Sequence, residues 1–161
     1  MHKDWHGSIA IVVGGASGIG QAVVRRLTEL GVRVWTLDVN TGEEPSINVD
    51  VRSQRDLEAA FAHVFGLEGR IDYLVNTAGV GAVGGMEPGR DEDWLRTLEI
   101  NVLGAYHAIS AALPYLRQSG RGAVVNVGSV VATVGLPGRA LYSASKGAVE
   151  AMTRACAADY L

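Results

Sequence analysis

Two residues late in the chain, Tyr142 and Lys146, stand four apart, so a helix would set them on one face. A phenol ordinarily ionises near ~10, too high for a base at neutral pH. An ammonium held at about 4 Å contributes ~4 kcal/mol at an effective dielectric of 20, close to three pK units. Such a neighbour brings a phenol towards the range of general acid–base work. The chain has only two lysines, Lys3 and Lys146, against five tyrosines, so the pair alone is no more than suggestive. Ser129 lies thirteen residues before Tyr142 (142 minus 129), where its hydroxyl could hold a substrate oxygen. Hydroxyl, phenol and ammonium together could manage the proton of an alcohol whose carbon gives up a hydride. In that scheme Lys146 could also hold the ribose of the hydride acceptor.

A second chemistry-bearing stretch opens the chain. Ile9–Val13 is an apolar, β-branched run of the kind buried on both faces of a parallel sheet. It breaks at Gly14-Gly15, and a helical pattern begins at Gly18. Glycines at 14, 18 and 20 permit a tight turn and let a phosphate approach the backbone closely. Ser17, Gly18, Ile19 and Gly20 then open a helix whose free N–H groups and dipole favour an anion. Strand, glycine turn and helix N-terminus form a pyrophosphate site. Any tight strand-to-helix turn needs glycine, with or without a ligand, so the turn alone leaves both readings open. Asp38 ends the next strand, eighteen residues past Gly20 (38 minus 20). A carboxylate there holds the ribose hydroxyls of a dinucleotide and repels a 2′-phosphate, which predicts NAD over NADP. The alternative is an aspartate that only caps a turn.

The elements that must position these groups alternate. A first helix carries Ile19, Val23, Leu27 and Leu30 on one face and ends at Gly31. A strand over Arg33–Asp38 follows. Residues 39–45 are too short and too rich in turn formers for a crossover helix. A third strand is expected over 47–51, then a helix started by Ser53 with Asp56 and ending near Gly66. A fourth strand over 71–76 runs into a glycine-rich loop over 79–89, long enough to carry function. One long helix over 91–116 should follow. Its apolar stripe is Trp94, Leu98, Val102, Ala105, Ile109, Ala112 and Leu116, with Trp94 and Tyr106 read as packing residues. A fifth strand over 123–127 and a last helix over 140–161 complete the pattern. Such alternation predicts an α/β fold, a mostly parallel sheet in a three-layer Rossmann-type arrangement, as a single domain over 1–161. Both the glycine turn and Ser129 would then sit at the carboxyl edge of the sheet, where open α/β folds bind ligands.

Composition narrows the classes. Of 161 residues, 48% are apolar and 19% charged, which describes a globular chain. A net charge of −3 without a basic cluster argues against a nucleic-acid or anionic-membrane partner. A single cysteine, Cys156, excludes an internal disulfide and fits a reducing, cytoplasmic setting, and no apolar signal core or span is visible. His2 and His6 share a helix-like spacing, but a frayed terminus is the expected state there. His63 and His107 are isolated, so no metal site is expected.

As a set, Gly14-x-x-x-Gly18-x-Gly20, Asp38, Asp50-Val51, Asn76-Thr77-Ala78-Gly79, Asn101, Ser129 and Tyr142-x-x-x-Lys146 resemble the short-chain dehydrogenase/reductase family, in order and spacing, along the whole chain. The resemblance implies NAD(P)-dependent interconversion of an alcohol and a carbonyl, with Asn101, Ser129, Tyr142 and Lys146 as the catalytic set. It implies that Asn101 bends its helix and holds a water in a proton relay to Lys146. It also implies that Asp50 and Val51 flank the adenine, and that Asn76, Ala78 and Gly79 line the cofactor and steady the sheet. Self-association through the helices at 91–116 and 140–161 is implied as well. Val13 stands where the family commonly has threonine, and Gly128 where a second serine often precedes Ser129. Family members continue beyond the helix that carries Lys146 with further strands and a substrate-covering segment. A chain ending at Leu161 would leave the fifth strand as an open apolar edge and the nicotinamide short of one wall. Two readings follow, an NAD-dependent oxidoreductase of a small, mostly apolar secondary alcohol or ketone, and a non-catalytic NAD-binding relative.

Overall fold

The computed structural model describes residues 5–87 and 89–160. Five strands, β1 (Ile9–Val13), β2 (Arg33–Asp38), β3 (Ser46–Asn48), β4 (Tyr73–Asn76) and β5 (Ala123–Asn126), form one parallel sheet in the order β3-β2-β1-β4-β5. The order reverses on either side of β1, which creates a crevice beyond its carboxyl end. Five helices accompany them: α1 (Gly18–Glu29), α2 (Gln54–Glu68), α3 (Asp91–Leu98), α4 (Gly104–Ser119) and α5 (Ala140–Tyr160).

Every residue of β1 is buried, because helices cover both of its faces. On one face Ile11, Val13, Leu37 and Leu74 meet Leu57, Phe61 and Val64 of α2 and Ala108, Ala112 and Leu116 of α4, with Met152 and Cys156 of α5 at the margin. On the other face Ala10, Val12 and Val34 pack with Val24 of α1. That second layer stops short of β5, whose Val125 is 55% exposed. The fold class read from the alternating pattern is the one observed.

Several boundaries move. The third strand covers 46–48 rather than 47–51, and the fourth begins at Tyr73, not at residue 71. Ser53 caps α2 through a bond from the Asp56 N–H, but the helix passes Gly66 and ends at Glu68, with Gly69 at φ +71°. A glycine facing open space inside a packed helix is tolerated, whereas the left-handed turn needs Gly69. The predicted frayed terminus is instead docked from Trp5, whose ring meets Tyr73 edge-on at 5.3 Å, while the His6 ring packs on Gly31. His2 lies outside the described residues.

The predicted single helix over 91–116 is interrupted. Residues Glu99–Leu103 form a π-turn, with the Gly104 N–H bonded to Glu99 O. The extra residue per turn rotates the faces on either side of it. Thr97 and Asn101 are therefore buried where the regular stripe placed Leu98 and Val102, and Tyr106 is 48% exposed rather than packed.

At the amino edge of the sheet Asp72, fully buried, gathers Ile9 N (2.9 Å), Arg70 Nη2 (2.6 Å), Arg121 Nε (3.0 Å) and Ser119 Oγ (2.5 Å). Burial alone would raise this carboxyl. The two guanidiniums, the hydroxyl and the amide outweigh it and hold Asp72 well below the usual carboxylate range.

Candidate active site

Glycine is obligatory at two points of the turn after β1. A Cβ on Gly20 would collide with the Gly14 carbonyl oxygen, and one on Gly14, at φ +81°, would stand 2.5 Å from Ala78 N. Thr77 Oγ1 closes the same junction, 2.9 Å from both Val13 O and Gly14 O. Gly18 differs, because a Cβ there would enter open space. Among the described residues no side chain caps α1, Ser17 included, and its first turn holds no acid. Its leading N–H groups and positive dipole end are thus left for an anion.

Ile19 does not join the packed face of α1, as the stripe of Val23, Leu27 and Leu30 predicted. It is 63% exposed and lines the crevice, while Gly20 and Val24 are the buried residues of the helix. Starting the helix with the turn at the ligand edge aims its second residue outwards.

The crevice holds about 580 Å³, within the range of small-molecule and cofactor sites. It is bounded by Gly14 and 17–20, by Asp38, by 50–52, by 77–81, and by Tyr142 and Lys146. Asp38 closes the β2 side. Its Oδ2 accepts from Ala16 N at 3.1 Å and its Oδ1 from Asn40 N at 3.0 Å, so the carboxylate is oriented with lone pairs to spare. Asp50 is clamped by Arg52, with Nη2 at 2.6 Å from Oδ2, and that bond holds its carboxyl below the usual range against the opposing effect of burial. Val51 is buried beside Gly104, and its carbonyl meets His107 Nδ1 at 2.9 Å.

On the β5 side α5 carries Tyr142 and Lys146 into the same crevice. Lys146 is 5% exposed, its Nζ donates to Val127 O at 2.8 Å, and it lies 5.9 Å from the centre of the Tyr142 ring. Burial pushes this ammonium below its ordinary value, and among the described residues no carboxylate pairs with it.

Asn101 is buried behind this wall. Its Oδ1 accepts from Val80 N (2.8 Å), and its Nδ2 donates to Val80 O (3.0 Å) and Ser145 Oγ (3.0 Å). Ser129 follows β5, and its Oγ accepts from Val131 N at 3.4 Å, capping the short turn Val130–Ala132. Neither Asn101 nor Ser129 borders the 580 Å³ crevice. Asn76 is also set back, 4% exposed, with Nδ2 at 3.4 Å from Asn126 Oδ1 across the β4–β5 pair. It supports the sheet, while Ala78 and Gly79 reach the crevice.

Two residues here escaped the sequence reading. Ser145, fully buried, accepts from Asn101 and donates to Tyr142 O at 2.8 Å. Its position three after Tyr142, on one helix face, was the available signal. Arg96 borders both the crevice and a neighbouring 240 Å³ cavity. Among the described residues no group of three or more His, Cys, Asp or Glu could hold a metal ion, and no helix is long and apolar enough to cross a membrane.

Comparison with known proteins gives a consistent picture. The short chain dehydrogenase family model matches residues 8–161. Cyclopentanol dehydrogenase of Comamonas sp. is 32% identical, the match covering 94% of this chain and 66% of that protein. Ligand-free aldohexose dehydrogenase of Thermoplasma acidophilum superposes with a TM-score of 0.93 at 32% identity, over 98% of this chain and 63% of that one. An NAD+-bound xylitol dehydrogenase gives 0.92 at 32% identity, over 98% and 66%. The chain therefore spans 63–66% of the length of these three proteins.

Proposed function

The chain belongs to the short-chain dehydrogenase family, and from that premise we propose that it binds NAD(H) and interconverts a secondary alcohol and a ketone, with Tyr142 as general acid–base. One observation carries the reading. A single crevice is bounded by the glycine turn, by Asp38 and by the Tyr142–Lys146 pair.

The residues present fit a dinucleotide. The open space at Gly18 and the uncapped N-terminus of α1 suit a pyrophosphate. Asp38 suits a ribose diol and disfavours a 2′-phosphate, which underlies the preference for NAD over NADP. The nicotinamide, when bound, supplies the hydride acceptor or donor. Tyr142 takes the alcohol proton in one direction and returns it in the other. Lys146 keeps a positive charge beside the phenol ring and holds the ribose. Ser129 steadies the substrate oxygen, and Asn101 fixes the 80–81 wall against α5. Residues 80–87 and 130–136 provide small and aliphatic walls, with Val83, Met86, Val130 and Val134 at least half exposed. A small, mostly apolar alcohol suits them, and cyclopentanol, named for the relative above, is of that kind. The chain acts as one dinucleotide-binding unit and self-associates through the helices in 91–116 and 140–161.

The test is to titrate the protein with NAD, then follow NADH absorbance with a panel of secondary alcohols. Binding with turnover of any of them is the expected result. Binding without turnover favours the non-catalytic reading, and failure to bind NAD overturns the proposal.

A further inference from the structure

The segment 80–84 leaves the crevice and is fastened at one end to α5 and at the other to the residues just before it. At the near end the Asn101 amide takes both polar groups of Val80, and Ser145 links that amide to Tyr142 O. At the far end the Gly84 N–H donates to Gly138 O at 2.9 Å, and Gly84 pairs with Arg139 in an isolated parallel bridge. Arg139 Nη1 then donates to Ala82 O at 3.1 Å. Arg139 makes no salt bridge with any described carboxylate, so its charge is directed at that carbonyl. A bond from a guanidinium is stronger than a neutral one. Gly84 (φ +156°) and Gly138 (φ +68°) adopt backbone conformations that other residues rarely enter, so the pairing depends on both glycines. Between the two fastenings lies the 240 Å³ cavity, bounded by 80–85, by Arg96 and Thr97, and by Leu141 next to Tyr142.

We propose that Arg139 is a positioning residue, clipping the 80–84 segment to the residues that lead into the first turn of α5 so that the cavity wall and the Tyr142 phenol are held as one body. Its catalytic consequence rests on the function proposed above. Arg139 lies three residues before Tyr142, and the Ser143 N–H donates to Arg139 O at 2.8 Å, so the clip acts on the same helical turn as the phenol. Loss of the clip frees the wall without touching the glycine turn or Asp38.

The test compares the full chain with Arg139→Ala, Arg139→Lys and Gly84→Ala, each checked for folding by circular dichroism. Four quantities are read: exchange of the Gly84 amide by NMR (in the arginine variants), affinity for NAD, and KM and kcat for the best alcohol of the panel. In Arg139→Ala the Gly84 amide should exchange at least about tenfold faster, reporting local opening. KM should rise several-fold with a smaller fall in kcat, and NAD affinity should stay as in the parent. Arg139→Lys, which retains a donor, should restore most of both. Gly84→Ala should raise KM similarly, and adding it to Arg139→Ala should cost little more, as expected for two halves of one contact. Parental exchange at Gly84 together with parental KM in Arg139→Ala would overturn the clip. If the parent chain binds NAD but turns over no alcohol, the catalytic proposal fails by itself, and Gly84 exchange still decides the clip.

Discussion

The proposed chemistry turns on one oxygen, and the neighbouring groups are arranged around it. Tyr142→Phe removes the phenol hydroxyl and keeps the ring, so turnover should fall by roughly 10²–10⁴-fold, the usual size of a general acid–base contribution. NAD affinity should stay nearly unchanged, and a parallel loss of both would make Tyr142 a structural residue. Asp38→Ala removes the charge proposed to face the ribose. The proposed preference for NAD over NADP, measured as a ratio of kcat/KM or of Kd, should then narrow by roughly tenfold, or about 1.4 kcal/mol. An unchanged ratio would refute the ribose assignment. At this scale the sequence was legible wherever chemistry imposes spacing: the glycines, Asp38, and Tyr142 with Lys146. Ser145 offered only its spacing of three from Tyr142, and Arg139 offered nothing until Ala82 comes near it in the fold.

At the scale of elements, the sequence pattern located the five strands and α1, α2 and α5, but it merged α3 and α4 because it could not see where a helix changes its winding. The stripe from Trp94 to Leu116 reads as one helix because a π-turn inserts a residue without breaking the run of apolar side chains. Asn101 marks the insertion. A buried amide with its bonds committed to Val80 and Ser145 holds the turn open on the side that faces α5. The ends of β3, β4 and α2 were also misjudged, since pairing and capping fix those limits, and Gly66 and Gly69 look alike until a φ value separates them. The Asp72 cluster ties β1, β4, the end of α4 and the residue before Gly122 into one polar knot. Asp72→Asn should cost about 2–3 kcal/mol in urea or guanidinium unfolding at pH 7, as for breaking one side of a buried ion pair. The sign with pH follows from its lowered carboxyl. The stabilisation is complete above the unfolded value near ~3.9 and is lost as pH falls towards the folded one, so parent and variant should converge in acid. A constant gap down to the lowest pH measured would remove Asp72 as its source.

For the molecule as a whole, α3, the π-turn and α4 leave Leu95, Leu103 and Tyr106 at 61%, 47% and 48% exposure, more apolar surface than a lone helix face needs. Leu103 and Tyr106, three apart, share a side of the helix. If self-association uses this face, Tyr106→Glu should shift sedimentation towards the monomer without altering circular dichroism. An unchanged distribution would move the contact elsewhere. The global arrangement was readable from sequence because alternating strands and helices with one parallel sheet allow few topologies, and the open fifth strand expected there is the edge strand β5, with Val125 exposed. The sheet also has two chemically separate ends. From Asp72 to Asn76 is four strand steps, about 13 Å, and the charge of Asp72 is matched at its own rim by Arg70 and Arg121, none of which borders the crevice. Acid tolerance at one rim and the working pH of the proposed reaction at the other thus rest on different residues.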